Sequence, residues 1–228
     1  AQHLTQIINP NIRTLRTRYL SEALEPSGTV NRPYLVLPTN GVIDGSDVEN
    51  TLEISFDEMS HDVHQYTYRV LHCNKDWTES DISSFEYIDG FTNADIVDYE
   101  HSLNTQRSYT HYWFEFPNND MQIKASGNYV LQIYEDGDPE NVVAKICFLV
   151  VEPMVGIDAS IRANTDIELN GRYQQLDLDI LTAQLNMRDA SEVHVVVQQN
   201  GRHDNAVTLN KPTFTEPHRM RYLNQRSL

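Results

Sequence analysis

The run His72-Cys73-Asn74-Lys75-Asp76-Trp77 brings together residue types that can do chemistry. A cysteine flanked by histidine and aspartate has the composition of an activated thiol. It closes a stretch from Gln65 to Cys73 rich in β-branched and aromatic residues, which reads as a strand. Neighbouring side chains on a strand point to opposite faces, so His72 is turned away from Cys73. The fitting reading is a buried cysteine at a strand end, an Asn74/Asp76 turn, and Trp77 as a core anchor.

Metal chemistry would need convergent ligands. His61, His64 and His72, or His101 and His111, have the right side chains. No pair has the helical i, i+4 spacing of a zinc protease, and no Cys-x-x-Cys exists, so surface or hydrogen-bonded roles fit better. Asp44-Gly45-Ser46-Asp47 and Asp136-Gly137-Asp138 offer oxygens to calcium, but neither continues into an EF-hand loop, and both read as turns. There is no Gly-rich phosphate loop and no Gly-x-Ser-x-Gly elbow. Carboxylates are plentiful, so a glycosidase pair stays open by counting alone. No catalytic, cofactor or metal set is assigned.

An aromatic strip is the remaining candidate. Tyr109, His111 and Trp113 fall on one face of a strand from Ser108 to Phe116, and Tyr112, Phe114 and Phe116 on the other. One face belongs to the core. The other is either a carbohydrate platform built on Tyr109 and Trp113, or is covered by Phe85 to Phe91, the favoured reading.

The elements that position these residues are strands. Gly127 to Tyr134 alternates and meets the turn Glu135 to Pro139, and Val142 to Val151 follows as a long strand. Weaker signals fit Ile12 to Arg18, Tyr34 to Leu37 and Leu52 to Phe56. No window sustains a 3.6-residue apolar period, so helices should be few and short. Short strands separated by turn clusters predict an all-β protein of Ig-like or fibronectin-like sandwich domains. Pro153 marks the expected boundary, giving domains over 1–153 and 154–228. In the second, strands are expected over Met154 to Ile161, Leu176 to Leu181 and Val193 to Gln199, with a hairpin turn at Asn200-Gly201. Leu176, Leu178 and Ile180 share one face, Asp177 and Asp179 the other. This domain looks too short to close a full sandwich.

Composition narrows the function classes. Apolar residues make up 39% of 228. Mean hydropathy is −0.51, and no apolar run approaches the roughly 18 residues of a spanning helix. The net charge of −16 argues against nucleic acid, which needs clustered Lys and Arg, and points to a basic protein partner, cations or solubility. Ala1 suits a position after a cleaved signal segment. Two cysteines, Cys73 and Cys147, do not make a disulfide scaffold.

Six pieces occur in order: Tyr68 to Trp77, Glu86 to Phe91, Ser102 to Thr105, Tyr109 to Tyr112, Phe116 to Asn118, and Ser126 to Tyr129. The ordered set resembles the type IX secretion system plug protein family of Bacteroidetes, over roughly Ile12 to Val151. The resemblance implies a periplasmic protein associated with the outer membrane. It also implies a partner in a translocon whose mouth it stops, with no enzyme activity and no cofactor. His72, Cys73, Asn74, Asp76, Trp77, Tyr87, Gly90, Phe91, Asn104, Tyr109, His111 and Tyr112 then become structural motif residues. Trp77, Tyr87, Phe91 and Tyr112 are expected to be buried, and His72 and Asp76 to bond to backbone. Cys147 stands where an ordinary apolar residue is expected, and the two cysteines are expected to be unbridged. The rival readings are a carbohydrate-binding module and an accessory domain of a glycan-active enzyme.

Overall fold

The computed structural model describes residues 5–22, 32–60, 62–162, 174–185, 187, 189–199, 205–209 and 211–225. The chain divides into two compact units, Ala1–Glu152 and Pro153–Leu228.

The first unit is an all-β sandwich. Its strands are β1 (Gln6–Ile7), β2 (Ile12–Tyr19), β3 (Tyr34–Val36), β4 (Leu52–Glu58), β5 (Tyr66–Cys73), β6 (Ile88–Gly90), β7 (Asn93–Ile96), β8 (Asp98–His101), β9 (Thr110–Phe116), β10 (Met121–Ile123), β11 (Gly127–Glu135) and β12 (Val142–Val151). Its one described α-helical turn, α1 (Ser84–Tyr87), precedes β6. One sheet runs β1-β12-β11-β5-β7, with β3 parallel to β12, a second runs β2-β4-β9-β8, and β6 and β10 form a two-stranded sheet of their own.

Period-2 alternation makes the core. Leu52, Ile54 and Phe56 of β4, and Tyr112, Phe114 and Phe116 of β9, join Tyr66, Tyr68 and Val70 of β5 and Tyr129, Leu131 and Ile133 of β11 in one buried cluster. The rings interlock: Phe56 meets Tyr66 edge-on at 5.2 Å, and Tyr68 stacks on Phe114 at 4.4 Å. The Tyr112 hydroxyl keeps its hydrogen bonds inside this core, accepting from the His64 amide at 3.0 Å and donating to the His64 carbonyl at 3.3 Å. Polar β6, β7 and β8 lacked a strand signal, because each offers few inward apolar residues.

The two aspartate turns behave as turns. Asp44 accepts from the Ser46 amide and hydroxyl, Asp47 caps a 3-10 turn over Val48–Asn50, and Gly137 (φ +67) closes the β11–β12 hairpin.

In the second unit, β13 (Gly156–Arg162), β14 (Gln175–Leu181), β17 (Phe214–Glu216) and β18 (Arg219–Gln225) form a sheet in the order β13-β14-β18-β17. β15 (Val195–Val197) and β16 (Val207–Leu209) form a separate hairpin. Leu176, Leu178 and Ile180 are buried with Leu209, Met220 and Tyr222. Asp179, on the opposite face, takes a two-pronged contact from Arg219. The Asn200-Gly201 turn lies outside the described residues.

Candidate functional site

His72 sits on the inner face of β5 at the rim of the sandwich, with Tyr87 at 5.6 Å and Tyr129 edge-on at 5.1 Å. Its Nε2–H donates to the Ser126 carbonyl at 3.2 Å, and its Nδ1 accepts from the Ser80 hydroxyl at 2.8 Å. This tautomer follows from the partners, since a carbonyl can only accept. Both ring nitrogens are engaged by framework groups. The ring fills the space that Gly127 leaves empty: a Cβ there would lie 2.2 Å from Nε2. Ser80 was not singled out in the sequence, and Ser126 and Gly127 figured there only as part of the Ser126 to Tyr129 piece, with no contact to His72 assigned. Gly127 at the head of an alternating run was the signal that a close approach occurs there.

Cys73 faces the other way, into a small outer-face cluster with Val130, Cys147 and part of Trp77. Both cysteines are buried and free. Cys73 is on β5 and Cys147 on β12, with all of β11 between them. Cys73 is opposite Asn128 and Cys147 opposite Val130, so two strand intervals of about 4.8 Å and a two-residue offset put their Cα atoms about 12 Å apart, beyond the roughly 7 Å a disulfide tolerates. Burial raises the pKa of Cys73 and pushes Cys147 up to about 11, despite the opposing charge of Arg32. A thiol held protonated is a poor nucleophile.

The turn after Cys73 is built by side chains. Asp76 Oδ1 accepts from the Thr78 amide at 3.1 Å and hydroxyl at 2.6 Å, and the Asn74 amide group donates to Thr78 Oγ1 at 3.1 Å. Trp77 has a left-handed backbone (φ +67), and the Arg32 guanidinium lies 4.6 Å from its ring centroid. It is half-buried rather than a core anchor, because it caps the outer face of the sheet. Tyr87 and Tyr112 are buried.

Phe91 corrects an expectation: it is 65% exposed, and Phe85 is 75% exposed. Gly90 (φ +98) turns the chain against Asp120 and carries Phe91 outward. Neither phenylalanine covers the Tyr109 face. Asn104 also takes a left-handed conformation (φ +56), in the β8–β9 turn.

That face carries a cavity of about 450 Å³, lined by Thr14, Arg16, Asp57, Glu100, Tyr109 and His111 among others. Asp57 holds His111 Nδ1 at 2.6 Å and also pairs with Thr14. Trp113 points to a different depression, beside Val97, Asp98 and Glu115, and His111 stacks on it at 5.6 Å. Tyr109 and Trp113 therefore do not form one continuous platform. These cross-strand pairs join residues far apart in sequence, so no local spacing announced them.

No group of three or more metal-ligating side chains gathers among the described residues. His61 lies outside them. His64 pairs with Glu135 at 2.5 Å, and that hydrogen bond raises its pKa. No helix among the described residues is long and apolar enough to cross a membrane.

Residues 40–152 match the family model of the type 9 secretion system plug protein, first domain. The chain carries the first domain of the type IX secretion system plug family. The match takes in β4 to β12 and every motif residue named above from His72 to Tyr112. A plug-family assignment points to a secretion component of the Bacteroidetes envelope. Among solved structures, a hypothetical protein from Parabacteroides merdae ATCC 43184 is similar to all of this chain, at 34% identity and a TM-score of 0.82. The chain spans 54% of the length of that protein. No curated protein matches it.

Proposed function

We propose that the protein is a non-catalytic periplasmic subunit that occludes an outer-membrane protein translocon through protein–protein contacts. The observation that carries this reading is the plug-domain match over 40–152. The site geometry supports it. His72 is held at both nitrogens by framework groups, Cys73 is turned into a buried cluster, and Asp76 is spent on a turn. On this reading the motif residues from His72 to Tyr112 are framework. The two compact units are proposed as two sandwich domains, with the boundary at Pro153.

Occlusion is tested by conductance. The purified translocon is placed in a planar bilayer, and the protein is added to its periplasmic side. Closure of the pore at a saturating concentration is the expected result, and unchanged conductance defeats the proposal. With a net charge of −16, attraction to a basic mouth weakens as the screening length falls to about 3 Å at 1 M salt.

Carbohydrate binding is a second reading, favoured by the polar cavity beside Tyr109. Against it stands the stacking of His111 on Trp113. Trp113→Ala is expected to leave the protein's behaviour toward polysaccharides unchanged in fluorescence titrations. Saturable binding that this substitution abolishes, with the fold intact, would establish the carbohydrate reading instead.

A further inference from the structure

Phe85 and Phe91 stand out because the fold does not use them. Large exposed aromatics are informative when several fall in one short segment, and these lie six residues apart in the chain, with Ile82, 38% exposed, three residues before Phe85. The segment that carries them is held firmly from below. Tyr87 is buried against His72 and Tyr129, and its carbonyl accepts from the Lys124 amide at 3.0 Å. β6 pairs with β10 from Ile88 to Gly90, and the Phe91 amide donates to the Asp120 carbonyl at 2.7 Å. Gly90 packs so tightly on Asp120 that a Cβ would lie 2.3 Å from the carbonyl oxygen. Two exposed rings on an ordered frame are preorganised for contact, so little ordering entropy opposes binding.

Charge selects the partner. Between Lys75 and Arg107 the chain carries eight carboxylates and no Lys or Arg. Asp81, Glu86, Asp89 and Asp120 flank the two phenylalanines, all exposed. We propose that the segment from Asp81 to Phe91, with Asp120, is a docking surface that seats Phe85 and Phe91 in apolar pockets of a protein surface rimmed by Lys and Arg. Aromatic anchors supply most of the affinity at such contacts, and the surrounding charges speed and orient the encounter. On this account the His72–Tyr87–Tyr129 cluster and Gly90 exist to aim the two rings. The proposal rests on the plug reading, with the periplasmic side of the translocon as the surface in question.

The test uses the whole chain and the detergent-purified type IX translocon, with binding followed by interferometry. F85A/F91A is expected to lose about 100-fold in affinity, as two anchoring aromatics would. D81N/E86Q/D89N is expected to associate about tenfold more slowly at about 50 mM salt and like wild type at about 0.5 M. Both variants change exposed side chains, and unchanged urea midpoints would show that they fold. Wild-type affinity retained in F85A/F91A overturns this surface alone. No binding by the wild-type chain defeats the plug reading, and this surface with it. A wild-type dimer that F85A/F91A converts to a monomer in sedimentation would assign the face to a second copy and overturn the proposal.

Discussion

Gly127→Ala tests whether the His72 cluster is a packed framework. Gly127 has φ +151, a conformation that residues with a Cβ rarely adopt, which costs about 1–3 kcal/mol. The new methyl would also meet His72 Nε2 at 2.2 Å, so the ring must leave. That loses the bond to the Ser126 carbonyl and the bond to Ser80, about 1 kcal/mol each. The expected loss for the first unit is about 4 kcal/mol. With a urea slope of about 2 kcal/mol/M, the midpoint falls by about 2 M. Both tryptophans, Trp77 and Trp113, lie in that unit, so their fluorescence follows its unfolding separately from the second unit. The decisive arm is His72→Ala/Gly127→Ala. Without the imidazole the steric conflict is gone, and Gly127→Ala should cost only the backbone strain, about 1–3 kcal/mol. If Gly127→Ala costs the same in both backgrounds to within about 0.5 kcal/mol, the two residues are uncoupled and the reasoning is refuted.

The cysteines should be inert while the protein is folded. Burial raises both thiol pKa values, Cys147 to about 11, so maleimide labelling at neutral pH should be slow until denaturant is added; fast labelling of the native protein would contradict this. Because β11 separates the two strands, treatment with a thiol oxidant should leave the native monomer's mass unchanged, and a loss of two hydrogens would show the sheet to be otherwise. His64 should make the first unit slightly more stable in mild acid. Glu135 raises its folded pKa, so the contribution is full below the ordinary histidine pKa and fades as pH rises through the folded value. The pair is partly exposed, which limits the effect to below about 1 kcal/mol. Urea midpoints should fall more steeply on the alkaline side of the histidine range for wild type than for His64→Gln; equal slopes would remove His64 from the account.

Much of the framework was legible because its physics is local. β5 and β9 announce themselves by their β-branched and aromatic residues, β11 by alternation and β12 as a long apolar run, and their observed limits fall within two residues of the expected ones. β7 and β8 did not, since Asn93–Ile96 and Asp98–His101 are polar edge segments held by pairing to β5 and β9. β18 carries two buried residues, Met220 and Tyr222, at the right spacing, but the flanking arginines masked them. The opposite facing of His72 and Cys73 followed from strand geometry alone. Phe91 went wrong for a physical reason: an aromatic after Gly90 looks like an anchor, but the direction of that turn depends on Asp120, thirty residues on. Likewise the Asp57–His111 and His64–Glu135 pairs join residues more than fifty positions apart in the chain, and only the pairing of the strands brings them together.

The sheet that carries β5 is closed by the two ends of its unit. β12 shares one edge between β1, paired antiparallel near Lys145, and β3, paired parallel near Leu149. Gln6 thus waits for a partner about 140 residues later in the chain. At synthesis rates of about 5–20 residues per second, that partner emerges roughly 7–30 s after it. Until then β1 and β3 have nothing to pair with, and the sheet cannot complete. The first unit therefore stays open until nearly all of its own residues, Ala1–Glu152, have been made. That interval is a window in which unpaired strand edges of the nascent chain stay open to chaperones before the sandwich locks.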